Sequence, residues 1–96
     1  MKYRFLLLLL FISSFVFSQK IIKGTVYSQK EPLEDAVVYV NNTSIGTTTN
    51  NKGEFSLSVK EGTSELIISY LGFKTINYLI NTETYTKPLT FALLEN

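Results

Sequence analysis

The sequence predicts an all-β fold: a seven-stranded antiparallel β-sandwich that follows a cleavable signal peptide. From Lys20 onwards, apolar residues recur at every second position, which is the spacing of a strand with one buried face. No window has the helical spacing of an amphipathic segment. Turn-forming residues break the apolar runs about every eight to twelve residues, which favours a sandwich over a parallel sheet.

The first eighteen residues have the composition of a signal peptide. Lys2 and Arg4 supply positive charge at the start of the chain. The apolar stretch that follows, Phe5 to Phe17, is thirteen residues long, whereas a membrane-spanning helix needs about twenty. Because Ser18 is small, we expect cleavage directly after it, which leaves one domain of residues 19–96. A retained membrane anchor is the alternative, and lipidation is excluded because the chain has no cysteine.

Each predicted strand is rich in β-branched and aromatic residues and is bounded by turn residues. Pro32 follows the first strand and is expected to end the pairing there, because proline cannot donate to a ladder. Residues 50–53 tolerate the positive φ of a tight hairpin, and Pro88 precedes the last strand. The predicted strands are residues 21–27, 36–41, 46–49, 54–59, 65–71, 74–80 and 89–94.

The same alternation predicts the hydrophobic core. Within residues 54–59, apolar side chains alternate with Glu54, Ser56 and Ser58, so one face of this strand is buried and the other is exposed. Neighbouring strands repeat the pattern. The predicted core consists of Val26, Ala36, Val38, Val40, Phe55, Leu57, Val59, Leu66, Ile68, Tyr70 and either Phe91 or its neighbours.

The residue types argue against catalysis and metal binding. The chain has no histidine and no cysteine, so the commonest general base and the thiolate metal ligands are missing. Glu34 and Asp35 are adjacent and their carboxylates diverge, and the turn at residues 50–54 lacks the spaced carboxylates of a calcium loop. Residues 19–96 hold seven lysines and eight acidic residues without a basic cluster, which excludes nucleic acid as a partner. No catalytic residue, cofactor or metal ligand is predicted.

Four short motifs occur in order along the chain, and together they resemble the carboxypeptidase regulatory-like domain family over residues 20–94. Asp35 and Asn50 stand where the family often has Gly and Asp, and both residue types are compatible with turns. The motifs are Lys23-Gly24-Thr25-Val26, Pro32-Leu33-Glu34-Asp35-Ala36-Val37-Val38, Gly46-Thr47-Thr48-Thr49-Asn50-Asn51-Lys52-Gly53-Glu54-Phe55-Ser56-Leu57 and Leu66-Ile67-Ile68-Ser69-Tyr70-Leu71-Gly72-Phe73.

The resemblance implies a transthyretin-like (prealbumin-like) Greek-key sandwich that serves as an accessory unit in exported bacterial proteins. It implies no peptidase activity, because the catalytic residues of the related enzymes lie in another domain. The expected function is a non-catalytic interaction module, in the periplasm, at the outer membrane or secreted, whose partner is a cell-envelope protein or a carbohydrate. The membrane is contacted only through the signal peptide during export. The alternatives are a truncated N-terminal domain of a TonB-dependent outer-membrane nutrient transporter and a hydrolase, for which the chain lacks the residues.

Two predicted strands, residues 36–41 and 65–71, carry apolar side chains on both faces. In transthyretin-like sandwiches these strands are expected to be neighbours, so their outward side chains would adjoin. A contiguous apolar patch usually marks a contact surface, and tyrosine is a favoured anchor there. The alternative is that these side chains are scattered or covered by the loop before Pro88. The predicted partner-contact patch consists of Val37, Tyr39, Ile67 and Leu71.

Overall fold

The computed structural model describes residues 19–96, so the predicted signal peptide, residues 1–18, lies outside the described residues. The described residues form eight β-strands in two sheets. Among them no helix is long and apolar enough to cross a membrane. The strands are β1 (Gln19–Ser28), β2 (Glu31–Pro32), β3 (Val37–Val40), β4 (Gly46–Thr48), β5 (Glu54–Lys60), β6 (Thr63–Ser69), β7 (Ile76–Asn81) and β8 (Leu89–Ala92).

Sheet A contains β1, β2, β5 and β8, with β1 at its centre. The Val26 N–H donates to the Gly53 carbonyl at 2.8 Å, and the Val26 carbonyl accepts from the Leu33 N–H at 3.0 Å. The N–H and carbonyl groups of a residue paired in an antiparallel ladder point to the same edge of its strand. Because Val26 bonds to Gly53 and to Leu33, β5 and β2 lie along the same edge of β1, and β8 lies along the other edge. The β1–β2 and β1–β5 pairs are antiparallel, with Ile22 opposite Leu57.

Two details of the predicted sheet are wrong. β8 runs parallel to β1, with Val26 opposite Phe91, although an all-antiparallel sandwich was predicted. The chain enters β8 from β7 in the other sheet, so no hairpin fixes its direction. The structure also has eight strands instead of seven, because Glu31 and Pro32 pair with β1 as the short strand β2. Pro32 is tolerated there because β2 is an edge strand.

Sheet B has the order β4-β3-β6-β7, and all its pairs are antiparallel. Two pairs are formed by consecutive strands, β3 with β4 and β6 with β7. The pairing of β3 with β6 joins these hairpins into one sheet, with Val38 opposite Ile68. The neighbouring positions of the two strands that were predicted to carry the contact patch are therefore confirmed.

The core lies between the two sheets, and the predicted alternation is confirmed in it. Phe55, Leu57 and Val59 are buried, whereas the residues between them are exposed. Tyr70 is the exception among the predicted core residues: it is half-buried, because β6 ends at Ser69 and the Tyr70 ring packs against Phe73 instead, with 5.5 Å between centroids. The buried apolar residues are Ile22, Val26, Ala36, Val38, Val40, Phe55, Leu57, Val59, Leu66, Ile67, Ile68, Ile80, Phe91 and Leu93.

Gly24 and Gly53 are placed where a side chain would not fit. A Cβ atom on Gly24 would lie 2.6 Å from the Phe55 ring, so the absence of a side chain lets this ring cover β1. Gly53 has φ of 74° and its Cβ would collide with the Val26 carbonyl oxygen. Asn50 closes the same turn, since its Oδ1 atom accepts from the N–H groups of Lys52 and Glu54, both at 2.9 Å.

Asp35 adopts a φ of 65°, a conformation that glycine takes without strain and that aspartate tolerates better than most residues. Both expectations about turn compatibility, for Asp35 and for Asn50, are therefore confirmed. Buried Thr49 holds the segment around Asp35 in place. Its Oγ1 atom accepts from the Ala36 N–H at 2.9 Å and donates to the Leu33 carbonyl at 2.5 Å.

The segment between β7 and β8 covers the part of β1 that β8 does not reach. The Lys20 ammonium donates to the carbonyls of Thr82, at 2.8 Å, and Tyr85, at 3.0 Å. The Tyr85 hydroxyl accepts from the Lys23 N–H at 2.9 Å and donates to the Lys23 carbonyl at 3.2 Å. The Tyr85 hydroxyl thus bonds to both the N–H and the carbonyl of Lys23, as a residue of a neighbouring strand would do.

Candidate interaction surface

The outward-facing side of sheet B carries apolar residues on its two central strands, β3 and β6. Tyr39 is opposite Ile67 and Val37 is opposite Ser69, so three of the four predicted patch residues share this face on adjacent strands. Val37 and Tyr39 are 41% and 36% exposed, whereas Ile67 is only 6% exposed. Ile67 thus lies in the floor of the patch, and Val37 and Tyr39 provide its accessible apolar area.

The fourth predicted residue is placed differently. Leu71 was predicted within a strand, but β6 ends at Ser69 and Leu71 lies in the following turn. Its side chain is 97% exposed. The strand prediction failed here because the apolar run continues through Tyr70 and Leu71, and the run alone does not show that the chain turns before Gly72.

Leu79 was not predicted to be part of the patch, but it belongs to the same side of sheet B. Leu79 is opposite Glu65 in the β6–β7 pair and is 70% exposed. The sequence of β7 indicates this position, because successive side chains of a strand point to opposite faces and Ile80 is buried, so Leu79 faces outward. Hereafter the sheet B patch denotes Val37, Tyr39, Ile67 and Leu79.

A polar row crosses the outer face of sheet B between Leu79 and the other three residues of the sheet B patch, since Glu65 is opposite Leu79 and Asn77 is opposite Ile67. The Glu65 carboxylate accepts from the Asn41 amide at 2.7 Å and from the Asn77 amide at 3.5 Å, so the row crosses β6 from one neighbouring segment to the other. Exposed hydrogen-bonding groups beside an apolar centre are typical of protein contact surfaces. The outward face of β1 and β5 in sheet A is more polar, since it presents Lys23, Glu54 and Ser56 beside one strongly exposed apolar residue, Ile21.

In the interior of the described domain, the buried hydroxyl groups are bonded to the backbone. Its buried polar side chains are Thr49 and Thr82. Thr82 accepts from the Gly62 N–H at 2.8 Å, and Thr49 is bonded as described above. Within residues 19–96 every buried side-chain nitrogen and oxygen has a hydrogen-bond partner, and no cluster of three or more potential metal-ligating side chains occurs.

These features define a two-sheet β-sandwich domain whose buried polar groups stabilise the fold. Comparison with models of protein families matches residues 22–96 to the CarboxypepD_reg-like domain. The match covers most of the chain, so the chain belongs to this family, and the resemblance inferred from the four motifs is confirmed. The CarboxypepD_reg-like domain is a regulatory, non-catalytic β-sandwich domain. None of the curated proteins compared with the chain matches it.

Proposed function

We propose that this protein is a non-catalytic interaction module that is exported to the bacterial cell envelope and binds an envelope protein through the sheet B patch. The observation that carries the proposal is the exposure of Val37 and Tyr39 side by side over buried Ile67. Water-exposed apolar side chains on a continuous surface lose unfavourable hydration when a partner covers them. Tyr39 adds a hydroxyl that can form a hydrogen bond at the border of such a contact.

Membership of a regulatory domain family supports the non-catalytic part of this proposal. Export is supported by the predicted signal peptide of residues 1–18. An envelope protein is the proposed partner because the accessible centre, formed by Val37 and Tyr39, is apolar and has hydrogen-bonding groups beside it.

Site-specific photocrosslinking in living cells tests the patch. A photoreactive phenylalanine analogue at position 39 replaces a residue of similar shape, and we expect it to form an adduct of defined mass with one envelope protein. The matched control places the same analogue at Ile21, which is 57% exposed on β1 of sheet A. Adducts that form equally from both positions, or from neither, contradict the proposal.

Intact mass spectrometry of the protein recovered from the envelope or the medium tests export. We expect the mass of residues 19–96, which corresponds to cleavage after Ser18. Recovery of the uncleaved chain from these fractions contradicts this prediction. A product much larger than 96 residues in the native cells would instead support the alternative of an N-terminal domain of a TonB-dependent transporter.

A further inference from the structure

β5 forms a free edge of sheet A. The Val26–Gly53 hydrogen bond fixes the ladder, so odd-numbered residues of β5 bond to β1 and even-numbered residues direct their backbone groups away from β1. The Glu54 N–H and carbonyl are bonded to Asn50. Among the described residues, the backbone groups of Ser56, Ser58 and Lys60 have no backbone partner.

The other sheet edges are less suited to pairing with a further strand. β4 has three residues and β8 has four. The chain after β8 is itself paired, through the bridge between Phe73 and Glu95. β7 is six residues long, but its edge borders the segment of residues 84–87. β5 has seven residues, pairs with β1 without a bulge and contains no proline, so it lacks most features that block edge pairing.

The charges of β5 indicate what this edge can pair with. Its exposed residues are, in order, Glu54, Ser56, Ser58 and Lys60, with opposite charges at the two ends. When two copies of this strand run antiparallel about Leu57, Glu54 of each copy is opposite Lys60 of the other. In this register the even-numbered residues of the two copies, whose backbone N–H and carbonyl groups point away from β1, are opposite each other. A parallel arrangement in register would place like charges opposite each other.

We propose that the protein forms a two-fold symmetric dimer in which β5 pairs antiparallel with β5 of a second copy, with Glu54 opposite Lys60. Sheet A becomes continuous across the dimer, and the backbone groups of Ser56 and Ser58 gain hydrogen-bond partners. This surface is separate from the sheet B patch, so the dimer does not depend on the proposed envelope partner.

Charge reversal tests the register. Glu54→Lys and Lys60→Glu each convert two attractive cross-strand pairs into two repulsive ones, so each variant alone should raise the dimer dissociation constant roughly ten-fold or more. An equimolar mixture of the two variants should form a heterodimer of nearly wild-type affinity, because positions 54 and 60 of one chain are then both basic and face two acidic positions on the other. The double variant should also recover wild-type affinity. Sedimentation equilibrium of protein purified from cells that express the full chain measures these constants.

A proline substitution tests the edge itself. Ser56→Pro removes an N–H group that points away from β1, so it should abolish the dimer while leaving the β1–β5 ladder intact. Asn77→Pro is the matched control, because the N–H of residue 77 likewise points away from the strand it pairs with, β6. Circular dichroism checks that both variants remain folded.

The proposal is overturned if the wild-type chain stays monomeric at all concentrations, or if Ser56→Pro and Asn77→Pro affect dimerisation equally. A mixture of the two charge variants that associates no better than either one alone also overturns it. A dimer that is disrupted by Tyr39→Glu, but not by the charge variants, would place the contact on sheet B and contradict the proposal.

Discussion

The two sheets share one core but present different surfaces to solvent. On sheet A the outward positions of β5 are Glu54, Ser56, Ser58 and Lys60, so every second residue is polar. On sheet B the outward positions of β3 are Val37 and Tyr39, and Ile67 beside them is nearly as inaccessible as a core residue. A strand whose apolar and polar residues alternate can bury one face in the core of a sandwich, and this does not require apolar residues on its outer face. The outward apolar residues of sheet B are therefore the basis of the proposed contact surface.

The largest expected effect concerns the two faces of β5. Phe55→Ala removes a buried ring that covers Gly24 and stacks on Phe91, with 6.3 Å between centroids, and should destabilise the domain by about 3–5 kcal/mol. Ser56→Ala, one residue away on the exposed face, should change the free energy of unfolding by less than about 0.5 kcal/mol. Thermal unfolding measures both. Equal melting temperatures for the two variants would show that the faces of β5 are misassigned.

A smaller effect on the free energy of unfolding is expected when isoleucine is replaced by lysine on the outer face of each sheet. Ile67→Lys places a charge where the side chain is 6% exposed and should cost about 2–3 kcal/mol. Ile21→Lys, at a position that is 57% exposed, should cost less than about 0.5 kcal/mol. Urea denaturation measures the two free energies. If Ile21→Lys proves as costly as Ile67→Lys, the contrast between the sheets is wrong.

The smallest expected effect concerns the far edge of sheet A. Tyr85→Phe removes the hydroxyl that bonds both backbone groups of Lys23, and it should destabilise the domain by about 1 kcal/mol. Amide exchange at Lys23 should become faster in the same variant, since its N–H loses its acceptor. Tyr27→Phe on the same strand is the control and should leave both quantities unchanged. Protection at Lys23 that persists in Tyr85→Phe would contradict this role.

Most of the strands could be predicted from the sequence because the alternation of apolar and polar residues, and the turn residues that end a strand, depend only on residues a few positions apart. Phe55 and Gly53 illustrate this: their burial and positive φ follow from the immediate sequence. The parallel pairing of β8 was not predictable in this way, because it depends on how the chain crosses between sheets. For the same reason, alternation could not show that Tyr85 satisfies Lys23 from 62 positions away.

In the sheet B patch, too, one property followed from the local sequence and another depended on distant neighbours. Outward orientation of Val37, Tyr39 and Ile67 followed from parity, and the structure agrees. Their individual exposures depend on neighbours across the sheet, so Ile67 could not be distinguished from Tyr39 by sequence. The predicted patch lacked Leu79 because it was limited to β3 and β6, although the alternation next to Ile80 indicates that Leu79 faces outward.

The parallel pairing of β8 with β1 affects the order in which the chain can fold. Lys23 pairs with Tyr85 and Val26 lies opposite Phe91, so one edge of the central strand stays open until nearly all of the domain has been synthesised. Closing so long a loop has a high entropic cost, and contacts of this kind slow folding. A released chain truncated before Leu89 would therefore expose this edge of β1 to other chains, and its aggregation should decline sharply once residues 89–92 are added.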